Sequence, residues 1–118
     1  MAQHLEVVEI SSVTVARILV GSVVSEEVIQ ELRIELFSLI VKKHPCTLLL
    51  NFVNVEFLSS SALGMLVTLH NKVKAAGGKL TLCSIRPDIF EVFLLTNLNK
   101  LLDIFDGEEA DAVLTFNE

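Results

Sequence analysis

The chain has 118 residues, of which 52% are hydrophobic and 20% are charged, and its formal net charge is −6. This length and composition are typical of one globular domain and exclude an intrinsically disordered chain. The acidic balance argues against nucleic-acid binding, which requires a basic surface, since no Lys/Arg cluster is larger than Lys42–Lys43.

The N-terminal part of the chain predicts a β-hairpin followed by an amphipathic helix. Leu5–Ile10 and Val13–Val20 are rich in β-branched residues and flank Ser11–Ser12, a pattern typical of two strands joined by a turn. Ser25 is placed to cap the following helix, which we expect to end at His44–Pro45 because the residue before a proline disfavours helix. The apolar residues of this helix, at helical spacing, are Ile29, Leu32, Leu36 and Ile40.

The middle of the chain predicts a central strand and a second helix. Thr47–Val53 is almost continuously apolar, as expected of a strand covered on both faces. After the connection Asn54–Leu58, the run Ser59–Ser61 precedes an amphipathic helix, which Gly77–Gly78 ends by supplying a left-handed residue. The predicted stripe of this helix comprises Leu63, Leu66, Val67, His70 and Val73.

The C-terminal part predicts two short strands and two further helices. Leu80–Cys83 and Leu101–Phe105 are the strand candidates. Arg86–Asp88 opens the helix between them, with its proline in the tolerated first turn. Asp106 is expected to cap a terminal helix that carries Glu108–Glu109 in its first turn.

The element order β-β-α-β-α-β-α-β-α predicts an α/β fold. Strands that alternate with helices require crossover connections and parallel pairing. We therefore expect a mixed sheet of about five strands, built from the N-terminal hairpin and parallel strands, with about four helices covering it. Residues 1–118 are expected to form a single domain.

Three consecutive serines at the start of the second helix are the most informative polar group. Function in open α/β sheets collects at the carboxyl ends of the strands, where these serines and Cys83–Ser84 are expected. One interpretation is structural, with Ser59 capping the helix. The other is that an exposed hydroxyl accepts a phosphoryl group, which a helix N-terminus stabilises and which adds roughly −1.5 to −2 charges to a binding surface. The spacing leaves both interpretations open.

Catalysis, metal binding and cofactor binding are not expected. His70 lies about 15 Å along the helix from Ser60, too far to act as its base. The chain has no GxGxxG or phosphate-loop pattern. Cys46 and Cys83 lack metal-ligand spacing and are predicted to lie at opposite strand ends, so we expect both to be free, buried and reduced.

The expected location is the cytoplasm, without membrane insertion. The longest apolar run, Thr47–Val53, is far shorter than the about 18 residues of a membrane-spanning helix and already contains Asn51. The first residues, MAQHLE, lack the basic start and apolar stretch of a signal peptide.

The element order and the segment Asn51–Leu66, which reads NFVNVEFLSSSALGML, resemble the STAS domain of bacterial anti-sigma-factor antagonists. The similarity extends through Ala75–Leu80 and on to Leu101–Phe105, so it covers nearly the whole chain. It implies a STAS-like fold over residues 1–118. Members of that family bind an anti-sigma factor, itself a serine kinase of the histidine-kinase-like ATPase type, and thereby release a sigma factor; a serine phosphatase resets the switch.

The resemblance also implies which residues carry this activity. By position, Ser60 is the phosphorylated serine and Ser61 is the second choice. The partner-binding surface that the resemblance implies is Ser59, Ser60, Ser61, Ala62, Leu63, Met65 and Leu66.

Three positions depart from the family pattern and keep alternatives open. Asn51 and Ser59 stand where the family has Asp, and Ala62 stands where it has Gly. These departures motivate a second hypothesis, a STAS scaffold in a sensory complex that is not phosphorylated. A third hypothesis is a small-ligand site at the strand-end rim, lined by Ser59, Ser60, Ser61, Cys83 and Ser84.

Overall fold

The N-terminal hairpin is present in the computed structural model, which describes residues 4–43 and 46–116. Strand β1 (Leu5–Ile10) pairs antiparallel with β2 (Val13–Ile18), and Ile10 lies opposite Val13. Both turn residues, Ser11 and Ser12, have positive φ angles of 50° and 70°. A two-residue turn of this kind matches the twist of the strands that it joins. The predicted hairpin is confirmed, although β2 ends two residues before Val20.

Two very short strands precede the first two helices. They are β3 (Ser22–Val23) and β5 (Phe57–Leu58). The remaining elements, in chain order, are α1 (Glu26–Lys42), β4 (Thr47–Asn51), α2 (Ser60–Ala75), β6 (Lys79–Cys83), α3 (Pro87–Leu95), a 3-10 turn (Leu98–Lys100), β7 (Asp103–Ile104) and α4 (Glu109–Phe116). The predicted stop of the first helix at His44–Pro45 lies outside the described residues. None of the helices in the described part of the chain is long and apolar enough to cross a membrane.

The main sheet has five strands in the order β1-β2-β4-β6-β7. Only the β1–β2 pair is antiparallel, so the predicted mixed α/β sheet is confirmed. Each crossover from β2 onward moves one place in the same direction. Right-handed crossovers repeated in one direction place α1, α2 and α3 on the same face of the sheet, and α4 covers the other.

The two faces of β4 contribute to two separate apolar cores. Leu48 and Leu50 lie in the large core beneath α1, α2 and α3, whereas Leu49 packs with Val113 of α4 in a smaller one. All three leucines are fully buried. The prediction that this strand lies in the middle of the sheet, covered on both faces, is confirmed.

The predicted start of the first helix, the predicted end of the second helix and the predicted burial of the two cysteines agree with the structure. Ser25 accepts a hydrogen bond from the Val28 N–H and caps α1, and Gly77 follows α2 with a φ of +77°. Cys46 and Cys83 are free and buried. Burial raises the pKa of the Cys83 thiol to about 11, so this thiol stays protonated at neutral pH.

The connection between β7 and α4 differs from the prediction. Asp106 does not cap the last helix, which begins at Glu109, so Glu108 lies before the first turn and not within it. The reason is a tertiary contact, because the Gly107 carbonyl accepts a hydrogen bond of 2.9 Å from the Ser84 N–H and ties residues 106–108 to the end of β6. β7 is also shorter than Leu101–Phe105, since the Leu102 N–H bonds back to the 3-10 turn.

Candidate functional site

The start of α2 is held in place by the small second sheet. β3 and β5 pair in parallel, with Ser22 opposite Phe57 and Val23 opposite Leu58. The Ser59 N–H continues this ladder by donating to the Val23 carbonyl at 3.1 Å. Sequence reasoning missed this sheet because two-residue strands are too short to show alternation. Its effect is to fix the backbone directly before the serines.

Ser59 is the N-cap of α2, as predicted. Its backbone is extended, with φ −88° and ψ 167°, and its Oγ accepts a hydrogen bond of 3.2 Å from the Ala62 N–H. Its carbonyl accepts from the Leu63 N–H at 3.1 Å. The Ser59 side chain therefore satisfies one first-turn N–H group that would otherwise lack a partner, and its carbonyl accepts the first regular bond of the helix.

Ser60 and Ser61 occupy the first two positions of α2, and both are exposed. The first turn of α2 contains no acidic residue, whereas the first turns of α1, α3 and α4 each contain at least one. A phosphoryl group on either hydroxyl would thus meet the positive end of the helix dipole without a carboxylate in the same turn.

The apolar members of the predicted partner-binding set point into the core. Buried side chains in this set are Ala62, Leu63, Met65 and Leu66. The parts of the site that reach solvent are Ser60, Ser61 and the half-buried Ser59. Of the predicted helix stripe, Val67 and His70 are half-buried and the other three residues are buried.

Two exposed apolar side chains extend the site beyond the predicted residues. Phe57 in β5 is 60% exposed, and Val53 in the β4–β5 connection is 50% exposed. Sequence reasoning passed over both, because Phe57 lies in a segment interpreted only as a connection and Val53 is included in the predicted strand Thr47–Val53, whereas β4 ends at Asn51. The signal for Phe57 was a large apolar residue close to the serine run and outside any predicted helix or strand.

Asn51, at the end of β4, is buried, and both its amide nitrogen and its amide oxygen form hydrogen bonds. Its Nδ2 donates to Glu109 Oε1 at 2.8 Å, and its Oδ1 accepts from the Val53 N–H at 2.8 Å. Arg17 also binds Glu109, through two hydrogen bonds of 2.8 Å each to the two carboxylate oxygens. The Arg17 guanidinium holds the pKa of the Glu109 carboxyl below its usual value, and the Asn51 amide adds to this effect against the cost of burial.

This network explains why an amide suits position 51. An aspartate there would face the Glu109 carboxylate across a hydrogen-bonding distance, and two carboxylates in such contact repel each other. The amide donates a hydrogen bond instead. The departure of Asn51 from the family pattern is thus matched by Glu109, a residue that sequence reasoning assigned only to a helix first turn.

Of the residues predicted to form a small-ligand rim, only one lines the cleft found at the end of β6. Ser84 lines a cleft of about 520 Å³ at the end of β6, but Ser59, Ser60, Ser61 and Cys83 do not line it. Within residues 4–43 and 46–116, no cluster of three or more His, Cys, Asp or Glu side chains could hold a metal ion.

Comparison with known proteins places these features in a family. The family model described as STAS domain matches residues 4–110. A curated anti-sigma F factor antagonist from Paenibacillus polymyxa is 25% identical over 69 residues, which cover 58% of this chain and 59% of that relative. The chain thus matches that relative over less than two thirds of its length.

Two solved structures share the fold at low sequence identity. An anti-sigma-factor antagonist (STAS) domain protein from Planctomyces limnophilus is 21% identical with a TM-score of 0.83, covering 97% of this chain and 98% of that chain. The Bacillus cell fate determinant SpoIIAA in its phosphorylated form is 20% identical with a TM-score of 0.72, covering 95% of this chain and 98% of that chain.

Proposed function

This chain belongs to the STAS domain family, and from that membership we propose that it is an anti-sigma-factor antagonist that works by partner switching. It binds an anti-sigma factor that is also a serine kinase of the histidine-kinase-like ATPase type. Phosphorylation of Ser60 by that kinase releases the complex, and a serine phosphatase restores binding. The chain itself acts by binding and not by catalysis.

The observation that carries this proposal is the state of Ser60. This residue is exposed at the first position of α2, beside a cap that is already supplied by Ser59. Modification of Ser60 therefore leaves the capping hydrogen bond in place, and the helix N-terminus stabilises the added dianion. The fold is expected to survive phosphorylation, as a reversible switch requires.

The surroundings of Ser60 suit an interface that charge can break. Phe57 precedes it by three residues and is 60% exposed, and Val53 is 50% exposed. We propose that a partner covers these apolar side chains together with the serines. A phosphoryl group buried beside them would pay a desolvation cost and weaken the complex.

The test is intact-mass spectrometry with site mapping after the protein is incubated with ATP and lysate from its own host. We expect a gain of one phosphoryl unit that Ser60→Ala abolishes. Ser61→Ala is the matched control, since Ser61 is also exposed in the same turn, and it should retain the gain. A gain that disappears only in Ser61→Ala would move the acceptor by one residue.

Binding provides the second half of the test. A kinase-like partner is first isolated by co-purification with the chain. Ser60→Asp should weaken the complex with this partner, while Ser60→Ala should bind the partner as wild type does. Equal affinity of the two variants would contradict a switch at this position.

A second candidate function is an unswitched STAS scaffold within a sensory complex. The observation that favours it is the state of the two positions where the family has Asp, since the Ser59 hydroxyl serves as the helix cap and the Asn51 amide is bonded to Glu109. Neither position supplies a carboxylate near the acceptor. This function requires a complex that forms equally with and without ATP, so ATP-driven dissociation that depends on Ser60 would exclude it.

A further inference from the structure

A cleft of about 520 Å³ opens at the carboxyl ends of β4, β6 and β7. Its walls come from the residues that follow each strand and from the first turn of α3. The apolar side chains that line it are Val53, Ile85, Pro87, Phe90, Ile104 and Phe105. A volume of this size, lined mainly by apolar and aromatic side chains, lies in the range of about 300–1,000 Å³ that is typical of small-molecule sites.

Backbone hydrogen bonds fix the positions of the segments that line the cleft. The Ser84 N–H donates to the Gly107 carbonyl at 2.9 Å, and the Phe105 N–H donates to the Leu82 carbonyl at 2.8 Å. Ser84 adopts a left-handed conformation with φ of 56°. A Cβ at Gly107 would lie 2.7 Å from the Phe105 ring. These bonds join the end of β6 to the residues that follow β7, so a ligand would meet a largely preformed site.

The charged side chains at the cleft are acidic. Asp106 and Glu108 both line it, and Ser84 is the remaining polar side chain. Arg86 lies next in the chain to the lining residues but does not line the cleft, and it is exposed. Asp88, in the first turn of α3, is exposed as well. Both charged side chains that line the cleft are therefore negative.

We propose that this cleft binds a small apolar molecule that carries a cationic amine. The apolar part fills the pocket between Phe90 and Phe105, and the ammonium group contacts the Asp106 and Glu108 carboxylates at the rim. An anionic ligand of the same shape is disfavoured because its charge would face both carboxylates. The cleft does not include Ser60 and shares only Val53 with the partner surface proposed above, and ligand binding in it does not require the switching function.

The experiment compares three probes with the same apolar part, namely 4-phenylbutylamine, 4-phenylbutanol and 4-phenylbutyrate. Each is titrated into isotope-labelled protein, and backbone amide shifts are followed by NMR. We expect saturable shifts at Ser84, Ile85 and residues 105–108. The amine should bind roughly three- to tenfold more tightly than the alcohol, as expected for one or two exposed ion pairs, and the butyrate should bind most weakly.

Three variants separate the contributions to binding. The double variant Asp106→Asn/Glu108→Gln should remove the preference for the amine over the alcohol, and its exposed sites keep the fold intact. Glu91→Gln, an exposed carboxylate on α3 that does not line the cleft, is the control and should keep the preference. Val53→Trp should obstruct the cleft and weaken all three probes.

Three results would overturn the proposal. The first is that the butyrate binds as tightly as the amine. The second is that the amide shifts map to the start of α2 instead of the cleft. The third is that none of the probes gives saturable shifts up to about 10 mM, a concentration that already corresponds to negligible affinity.

Discussion

Asn51 donates a hydrogen bond of 2.8 Å to the carboxylate of Glu109 and so joins the end of β4 to the first residue of α4. The same asparagine accepts from the Val53 N–H, where the chain leaves the sheet toward β5 and the serine run. One buried amide therefore connects the helix on the small core with the segment that leads to the candidate switch. Its replacement tests both connections.

We predict that Asn51→Asp lowers the free energy of unfolding by about 1–3 kcal/mol, because it removes a buried donor and places a second carboxylate against Glu109. Urea unfolding measures this loss. Glu109→Gln in the Asn51→Asp background should recover part of it, since the glutamine amide can donate to the new aspartate. If the double variant is as unstable as the sum of the two single variants, the two side chains are not coupled.

The ion pair between Arg17 and Glu109 predicts a dependence of stability on acid. Arg17 lowers the pKa of the Glu109 carboxyl in the folded protein, an effect that the Asn51 amide reinforces and burial opposes. The resulting stabilisation is present above the ordinary carboxyl pKa of 4.5 and is lost as pH falls through the lowered folded value. Glu109→Gln should therefore flatten the acid limb of a plot of stability against pH.

Arg17→Gln provides the matched measurement, because it removes the largest cause of the lowered pKa from the other side. Both variants should keep part of the acid limb, since Lys43 and Thr14 also lower the pKa of Glu9. An acid limb in Glu109→Gln that is as steep as that of wild type would contradict the prediction.

Gly78 marks a close approach of two backbone segments. A Cβ at this position would lie 2.1 Å from the Cys46 carbonyl oxygen, and the neighbouring Lys79 N–H donates to that same oxygen. Backbone on both sides leaves little room to adjust, so Gly78→Ala should cost about 1–3 kcal/mol of unfolding free energy or more.

Gly64→Ala is the control for this substitution. Gly64 lies within α2, and a Cβ there would meet nothing within 4 Å. Thermal unfolding should show Gly64→Ala stabilised by about 0.5–1 kcal/mol, since alanine is the better helix former. Equal stability of the two variants would show that the contact at Gly78 relaxes freely.

The parts of this structure that the sequence predicted are those with a local pattern. The hairpin, α1, β4 and α2 each carry several residues of clear periodicity or a capping serine, so their existence and order followed from the chain alone. The pairing of β3 with β5 did not follow from the chain alone, because a strand of two residues is too short to show an alternating pattern. The predicted start of α4 was wrong because the Ser84–Gly107 contact, and not the capping preference of Asp106, decides where that helix begins.

In the candidate site, too, contacts between residues close in the sequence were predicted and contacts between distant residues were not. Capping by Ser59 depends on a contact three residues away and was predicted correctly. The pairs Arg17–Glu109 and Asn51–Glu109 are separated by 92 and 58 positions, so no pattern in a single sequence could connect them. The cleft is likewise formed by segments after three different strands, and only Ser84 among its lining residues was predicted from the sequence to belong to a ligand site.

Phe57 offers a test of where the partner binds. Its ring is 60% exposed, while its backbone pairs with Ser22 and bonds to the Gly21 carbonyl. Phe57→Ala keeps those backbone bonds and removes mainly solvent-exposed surface, so unfolding free energy should change by no more than about 0.5 kcal/mol. An aromatic side chain at the centre of an interface contributes more than about 1 kcal/mol to binding. Calorimetric titration with the kinase-like partner should therefore show an affinity loss of roughly fivefold or more.

Leu95→Ala, at a 77% exposed residue in the last turn of α3, is the control and should bind as wild type does. The reverse result, with Leu95→Ala weakened and Phe57→Ala unchanged, would place the partner on α3 and remove Ser60 from the interface, because an unaltered contact at Phe57 leaves the start of α2 outside the covered surface.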